Sequence, residues 1–144
     1  MCSFWNDWSW LMRELFVALT TGVITGIYSG LVVARVARFA GLQNEAKRLV
    51  QALDWIEGDA VIEALTIKGM ERVNAQLALI SSELFFLRHL AAGDALNRVA
   101  SEFIQIIGRR RIGENFGKRH SGWQKTIREM RPNWHTILSL RPHV

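Results

Sequence analysis

The residues best suited to chemistry lie in the last third of the chain. Residues 98–144 carry ten Lys/Arg against three Asp/Glu, a net of +7, whereas residues 1–97 carry eight against ten, a net of −2. The cations concentrate in GRRRIGENFGKRHSG, residues 108–122, where Arg109, Arg110, Arg111, Lys118 and Arg119 face only Glu114. Glycines let backbone N–H groups approach an anion, and arginine offers a forked donor matching phosphate geometry. Phe116 and Trp123 could stack on a base if the anion were a nucleotide or a single strand. The alternative is a mobile loop touching anionic lipid head groups, each basic side chain contributing about 1 kcal/mol near the surface. Other chemistries drop out. The run GENFGKR, residues 113–119, is one residue short between its glycines for a Walker loop, and arginine stands where a magnesium-binding hydroxyl belongs. His89, His120, His135 and His143 form no i, i+4 pair, and Cys2 is the one cysteine, so no metal set, disulfide or cofactor motif is expected. Glu63 and Glu71 read as solvated helix acids.

Arg128 and His135 enclose six residues, EMRPNW, giving Arg-x6-His. This spacing resembles the Arg-x4–6-His motif of HEPN domains, all-α bundles that often act as metal-independent ribonucleases. The resemblance implies that His135 helps move the proton of a ribose 2′-hydroxyl while Arg128 steadies charge developing on the phosphate. Both side chains would project from one helix end into a shared cleft. The competing expectation, since His135 follows Trp134, is a partly buried histidine bonded to a carbonyl.

Helices must position these residues, because no strand pattern appears. Leu42, Ala46, Leu49, Leu53 and Ile56 step by 4, 3, 4, 3 along one face. Gly58 and Asp59 then punctuate, and the longest helix is expected from about Ala60 to Ala92. Its heptad is Met70, Val73, Leu77, Ile80, Leu84, Leu87 and Ala91, with Leu79, Phe85, Phe86 and Leu90 widening the apolar face. Gly93 should stop this helix and Asp94 cap the next, which places Leu96, Val99, Phe103 and Ile106 on one side with Ile107 alongside. Trp123, Ile127, Met130 and Trp134 resume helical spacing, and Pro132 predicts a fresh helix starting there. The fold class is therefore all-α: one N-terminal transmembrane helix followed by a four- to five-helix bundle.

The transmembrane expectation rests on residues 15–34, LFVALTTGVITGIYSGLVVA, which hold no charge. A helix of that length spans roughly 30 Å, the thickness of a bilayer's hydrocarbon core. Ala18, Gly22, Gly26, Gly30 and Ala34 recur every fourth position, so they line a groove into which another backbone can settle. Thr21, Thr25 and Ser29 run beside it. A buried helix of a soluble domain could also use such glycines, but the flanks favour a membrane. Phe4, Trp5, Trp8 and Trp10 crowd one end, and Arg35, Arg38, Lys47 and Arg48 the other. Residues 1–14 are thus read as an interfacial aromatic segment, 15–40 as the span ended by Gly41, and 42–144 as a helical domain with a basic C-terminal part. The segment before the span lacks a positive n-region, and Arg38 sits where a cleavage site needs a small residue, so the anchor should stay attached. Basic residues beyond the span place the C-terminal domain in the cytoplasm and the N-terminus outside the inner membrane.

An anchoring span, small-residue packing and a HEPN-like cytoplasmic bundle together resemble the membrane accessory protein of type VI CRISPR loci. That resemblance implies an oligomeric, pore-like partner of an RNA-guided nuclease in antiviral defence. The expected function is a single-pass homo-oligomer that alters membrane permeability. Its expected partners are membrane lipid and an anionic ligand: RNA, a nucleotide or an anionic lipid. A membrane-tethered ribonuclease and a scaffold that tethers a nucleic acid or protein are the alternatives.

Overall fold

A computed structural model describes residues 3–53, 60–109 and 115–139. Four helices and a short fifth account for nearly all of them: α1 (Ser3–Gln51), α2 (Ala60–Phe86), α3 (Leu90–Arg109), α4 (Phe116–Glu129) and α5 (Trp134–Leu138). The class is all-α, with no strand among the described residues. Two compact units divide at Arg35, within α1.

The first unit is the N-terminal part of α1. Its most apolar window is long enough to cross a membrane and holds no buried residue. Leu15, Phe16, Leu19, Ile24 and Ile27 are all exposed. Soluble monomers rarely expose a contiguous apolar surface of this kind. Thr20 Oγ1 donates back to the Phe16 and Val17 carbonyls (2.9 and 3.0 Å), and Ser29 Oγ to Gly26 (3.1 Å), so these hydroxyls are satisfied within the helix.

The second unit, from Val36 onward, is a helical bundle. Its core takes Phe39, Leu42, Ala46 and Val50 from α1. The α2 contribution is Met70, Val73, Leu77, Ile80 and Leu84, and Leu96, Val99, Phe103 and Ile106 come from α3. Phe116, Trp123 and Ile127 of α4 close the cluster. Arg38 places Nη2 and Nε on Glu83 Oε1 at 2.7 and 3.0 Å, which ties α1 to α2.

Two expected breaks are not breaks. Gly41 lies inside α1, which continues to Gln51. An exposed glycine costs a helix about 1 kcal/mol, and burial of the stripe from Phe39 to Val50 offsets several times that. Gly93 likewise lies inside α3, in a close approach, since a Cβ there would meet the Phe85 ring at 3.0 Å. The real stop comes earlier. His89 N–H donates to the Leu84 carbonyl (2.8 Å) and Arg88 N–H to Phe85 (2.9 Å), the paired bonds of a Schellman ending. Arg88 takes the left-handed position, φ 59°. With the helix interrupted there, the heptad ends at Leu84: Leu87 is half-buried and Ala91 exposed. Of the residues expected to widen the apolar face, Leu79, Phe86 and Leu90 are exposed, and Phe85 alone is half-buried, lying against Gly93. The punctuation expected at Gly58–Asp59, and Ile56, lie outside the described residues.

The two glycines therefore predict opposite responses. Gly41→Ala, with nothing within 4 Å of its new Cβ, should stabilise the chain by about 0.5–1 kcal/mol. Gly93→Leu should cost about 1–3 kcal/mol by driving a side chain into Phe85. Denaturant midpoints of the detergent-solubilised chain measure both, and equal signs would contradict these placements.

Candidate functional site

At one end of the bundle α3 finishes and α4 begins. Arg109 is the last residue of α3, and Lys118 and Arg119 occupy the first turns of α4; all three are exposed. Gly117 and Gly122, expected in a mobile loop, are helical because Trp123 and Ile127 supply a buried face one turn apart. Arg110, Arg111 and Glu114 lie outside the described residues. The start of α4 carries no acid in its first turn, and Asn115 makes no side-chain capping bond. The positive end of the helix dipole therefore adds to the field of Lys118 and Arg119.

Aromatic packing holds this end together. The Phe103 and Trp123 rings lie 4.5 Å apart, and Phe116 meets Trp123 edge-on at 5.6 Å. The Trp123 indole N–H donates to Glu102 Oε2 at 2.7 Å. His120 stacks on Phe116, and its Nε2 donates to the Val50 carbonyl at 2.9 Å, binding the end of α1 to α4. Phe116 and Trp123 are each 3% exposed, which corrects their expected role as base-stacking platforms. They support the basic residues from below.

Arg128 and His135 fall on two helices rather than one helix end. Arg128 is exposed in the last turn of α4, and His135 is exposed in α5. Between them Met130–Asn133 is non-helical, and Asn133 Oδ1 caps α5 by accepting from His135 N–H at 3.2 Å. Pro132 accounts for the separation. It disfavours helix for the residue before it, and the new helix starts at Trp134, two residues later than the proline itself suggests. His135 is not the buried histidine its neighbour Trp134 suggested, because Trp134 is itself exposed. The structural histidines are His120 and His89. His89 is buried against Phe39, with centroids 4.9 Å apart, and its Nδ1 accepts from Asn133 N–H at 3.0 Å.

Two further positioning residues have weak signals in the sequence. Gln43 Nε2 donates to the carbonyls of Ile127, Arg128 and Met130 at 2.8–3.2 Å and so caps the end of α4. Nothing local marks Gln43, since its partners are over 80 residues away. Asn133 was legible in principle as an N-cap residue directly before a tryptophan.

The small-residue row Ala18, Gly22, Gly26, Gly30 and Ala34 lies along one exposed face of α1. A Cβ at Gly22, Gly26 or Gly30 would meet nothing within 4 Å. Among the described residues no group of three His, Cys, Asp or Glu could hold a metal ion. Comparison with protein-family models, with curated proteins and with solved structures gives no match.

Proposed function

We propose that the chain is a single-pass membrane protein that self-associates through Ala18, Gly22, Gly26, Gly30 and Ala34. The observation carrying this reading is an apolar helix of membrane length with none of that surface buried and open space beside three glycines of one face. Lipid covers the leucine, isoleucine and phenylalanine surface, and neighbouring copies cover the groove. The anchor stays attached, with the N-terminus outside and the bundle in the cytoplasm. Clustering the spans alters membrane permeability when the bundle engages its ligand.

The basic end is the ligand site in this account. Arg109 closes a 20-residue helix, about 28 Å along its axis from Leu90. Leu90 adjoins His89, against which Phe39 packs. Within the bundle, the cations at Arg109, Lys118 and Arg119 gather where α3 ends and α4 begins, at the opposite end of α3 from Leu90. Consistent with the type VI resemblance, the proposed ligand is RNA.

Two experiments test this. A membrane-impermeant thiol reagent should label Cys2 from outside intact cells; labelling only after lysis reverses the topology. Single-stranded RNA should bind the detergent-solubilised chain with a steep salt dependence. Replacing Arg109, Arg110 and Arg111 with glutamine should flatten the log–log slope by about two to three, at roughly 0.7–0.9 per phosphate contact. A slope unmoved by the triple change removes this segment from the site.

A further inference from the structure

His89 directly precedes α3 and takes no part in the ligand site at the other end of that helix. Its side chain is buried, and its ring packs edge-on against Phe39 of α1. Its Nδ1 accepts from the backbone N–H of Asn133 at 3.0 Å. Asn133 is the N-cap of α5, and its Nδ2 also donates to the Arg88 carbonyl at 3.2 Å. Ile137, within α5, is fully buried. Five residues are too few to hold a helix alone, so α5 depends on these two bonds and on the seating of Ile137.

The bond to Nδ1 exists in one protonation state only. An imidazolium carries a hydrogen on both ring nitrogens. A proton on Nδ1 would therefore set two donors face to face in a buried place. The Asn133 N–H and the proton compete for a single lone pair. His120 differs, because its Nε2 donates to the Val50 carbonyl, a bond that neutral and charged rings both make. The charged and titratable groups on the elements that meet at His89 lie toward solvent. Arg38 of α1 and Glu83 of α2 hold each other at 2.7 Å. Arg88, Asp94 of α3, and Glu129, Arg131 and His135 on the α4–α5 side are all exposed.

We propose that His89 is a pH-sensitive latch, which when neutral holds residues 130–138 against the turn between α2 and α3 and when protonated releases them. Every residue it needs belongs to the bundle unit, so the latch stands apart from the membrane reading of α1. In the released form the ring binds a proton as an ordinary histidine does, near pH 6.5. The docked form must give up the Asn133 bond to bind it. Docking therefore keeps its full strength above about pH 7, and the docked-to-released ratio falls up to tenfold for each unit below about 6.5. Acidification uncovers Ile137.

Thiol labelling of the full chain in detergent tests this. In a Cys2→Ser background, Ile137→Cys and, separately, Leu138→Cys are treated with a water-soluble maleimide from pH 8 down to pH 5, above the range in which ordinary carboxylates titrate. Leu138 is exposed, so its rate carries the pH dependence of the thiol, and the ratio of the 137 rate to the 138 rate reports release. That ratio should be flat above about pH 7 and rise about 30-fold by pH 5. His89→Asn places an acceptor that takes up no proton where Nδ1 stands, and should flatten the ratio throughout. Asn133→Pro removes the competing N–H at an exposed position whose φ of −78° suits proline, so the bundle should keep its fold. Its ratio should start high at pH 8 and rise no further. A ratio flat to pH 5 with His89 and Asn133 both present overturns the latch. So does a rise that survives in Asn133→Pro or in a folded His89→Asn chain. A rise that coincides with loss of the bundle's helical circular dichroism is unfolding of the whole unit, and overturns it as well.

Discussion

Gly26→Leu should turn the detergent-extracted complex into monomers while leaving the chain in the membrane. Gly26 is the middle residue of the small-residue row, and nothing in its own chain lies within 4 Å of its Cβ position. The substitution therefore has no intramolecular cost, and leucine favours insertion. Between copies the effect is opposite. A bulky side chain where two backbones approach forces them apart, at about 1–3 kcal/mol for each overpacked contact. An oligomer repeats that penalty at every helix pair. Ile24→Leu, on the other side of the same helix, should leave the mass unchanged. Unchanged mass for Gly26→Leu would move the contacts into the bundle.

Phe103→Ala should destabilise the bundle by about 3–5 kcal/mol. Phe103 is fully buried, and its ring lies 4.5 Å from Trp123 where α3 meets α4. The loss is a large share of the roughly 5–15 kcal/mol that holds an ordinary domain together. Amide exchange should accelerate first in α4, which carries Lys118 and Arg119, and RNA binding should weaken in step. The span association should persist, because the proposed contacts lie in residues 18–34. Joint loss of the oligomer and the bundle would show that the two units do not associate independently.

Local periodicity was readable wherever one face alone decides burial. Met70, Val73, Leu77, Ile80 and Leu84 were expected in the core and are there, as are Leu96, Val99, Phe103 and Ile106. The helix ends were not readable from glycine. Gly41 and Gly93 look like stops, yet one is carried through on the burial around it and the other makes room for Phe85. The actual stop places an arginine in the left-handed region, which no local pattern announces. At the basic end, the clustering of Arg109, Lys118 and Arg119 was legible as charge. The burial of Phe116 and Trp123 was not, because an aromatic residue among cations has the same appearance in a binding loop and in a helix with one apolar face. The separation of Arg128 from His135 follows from Pro132, visible in the sequence, whereas His89 and Gln43 depend on long-range contacts and were not.

The mass of the chain extracted from membranes in mild detergent tests the central claim most directly. A self-associating span predicts recovery in the membrane fraction and a protein mass that is a multiple of 16.4 kDa after detergent is subtracted. Recovery from the aqueous fraction, or a protein mass of one chain, would contradict it.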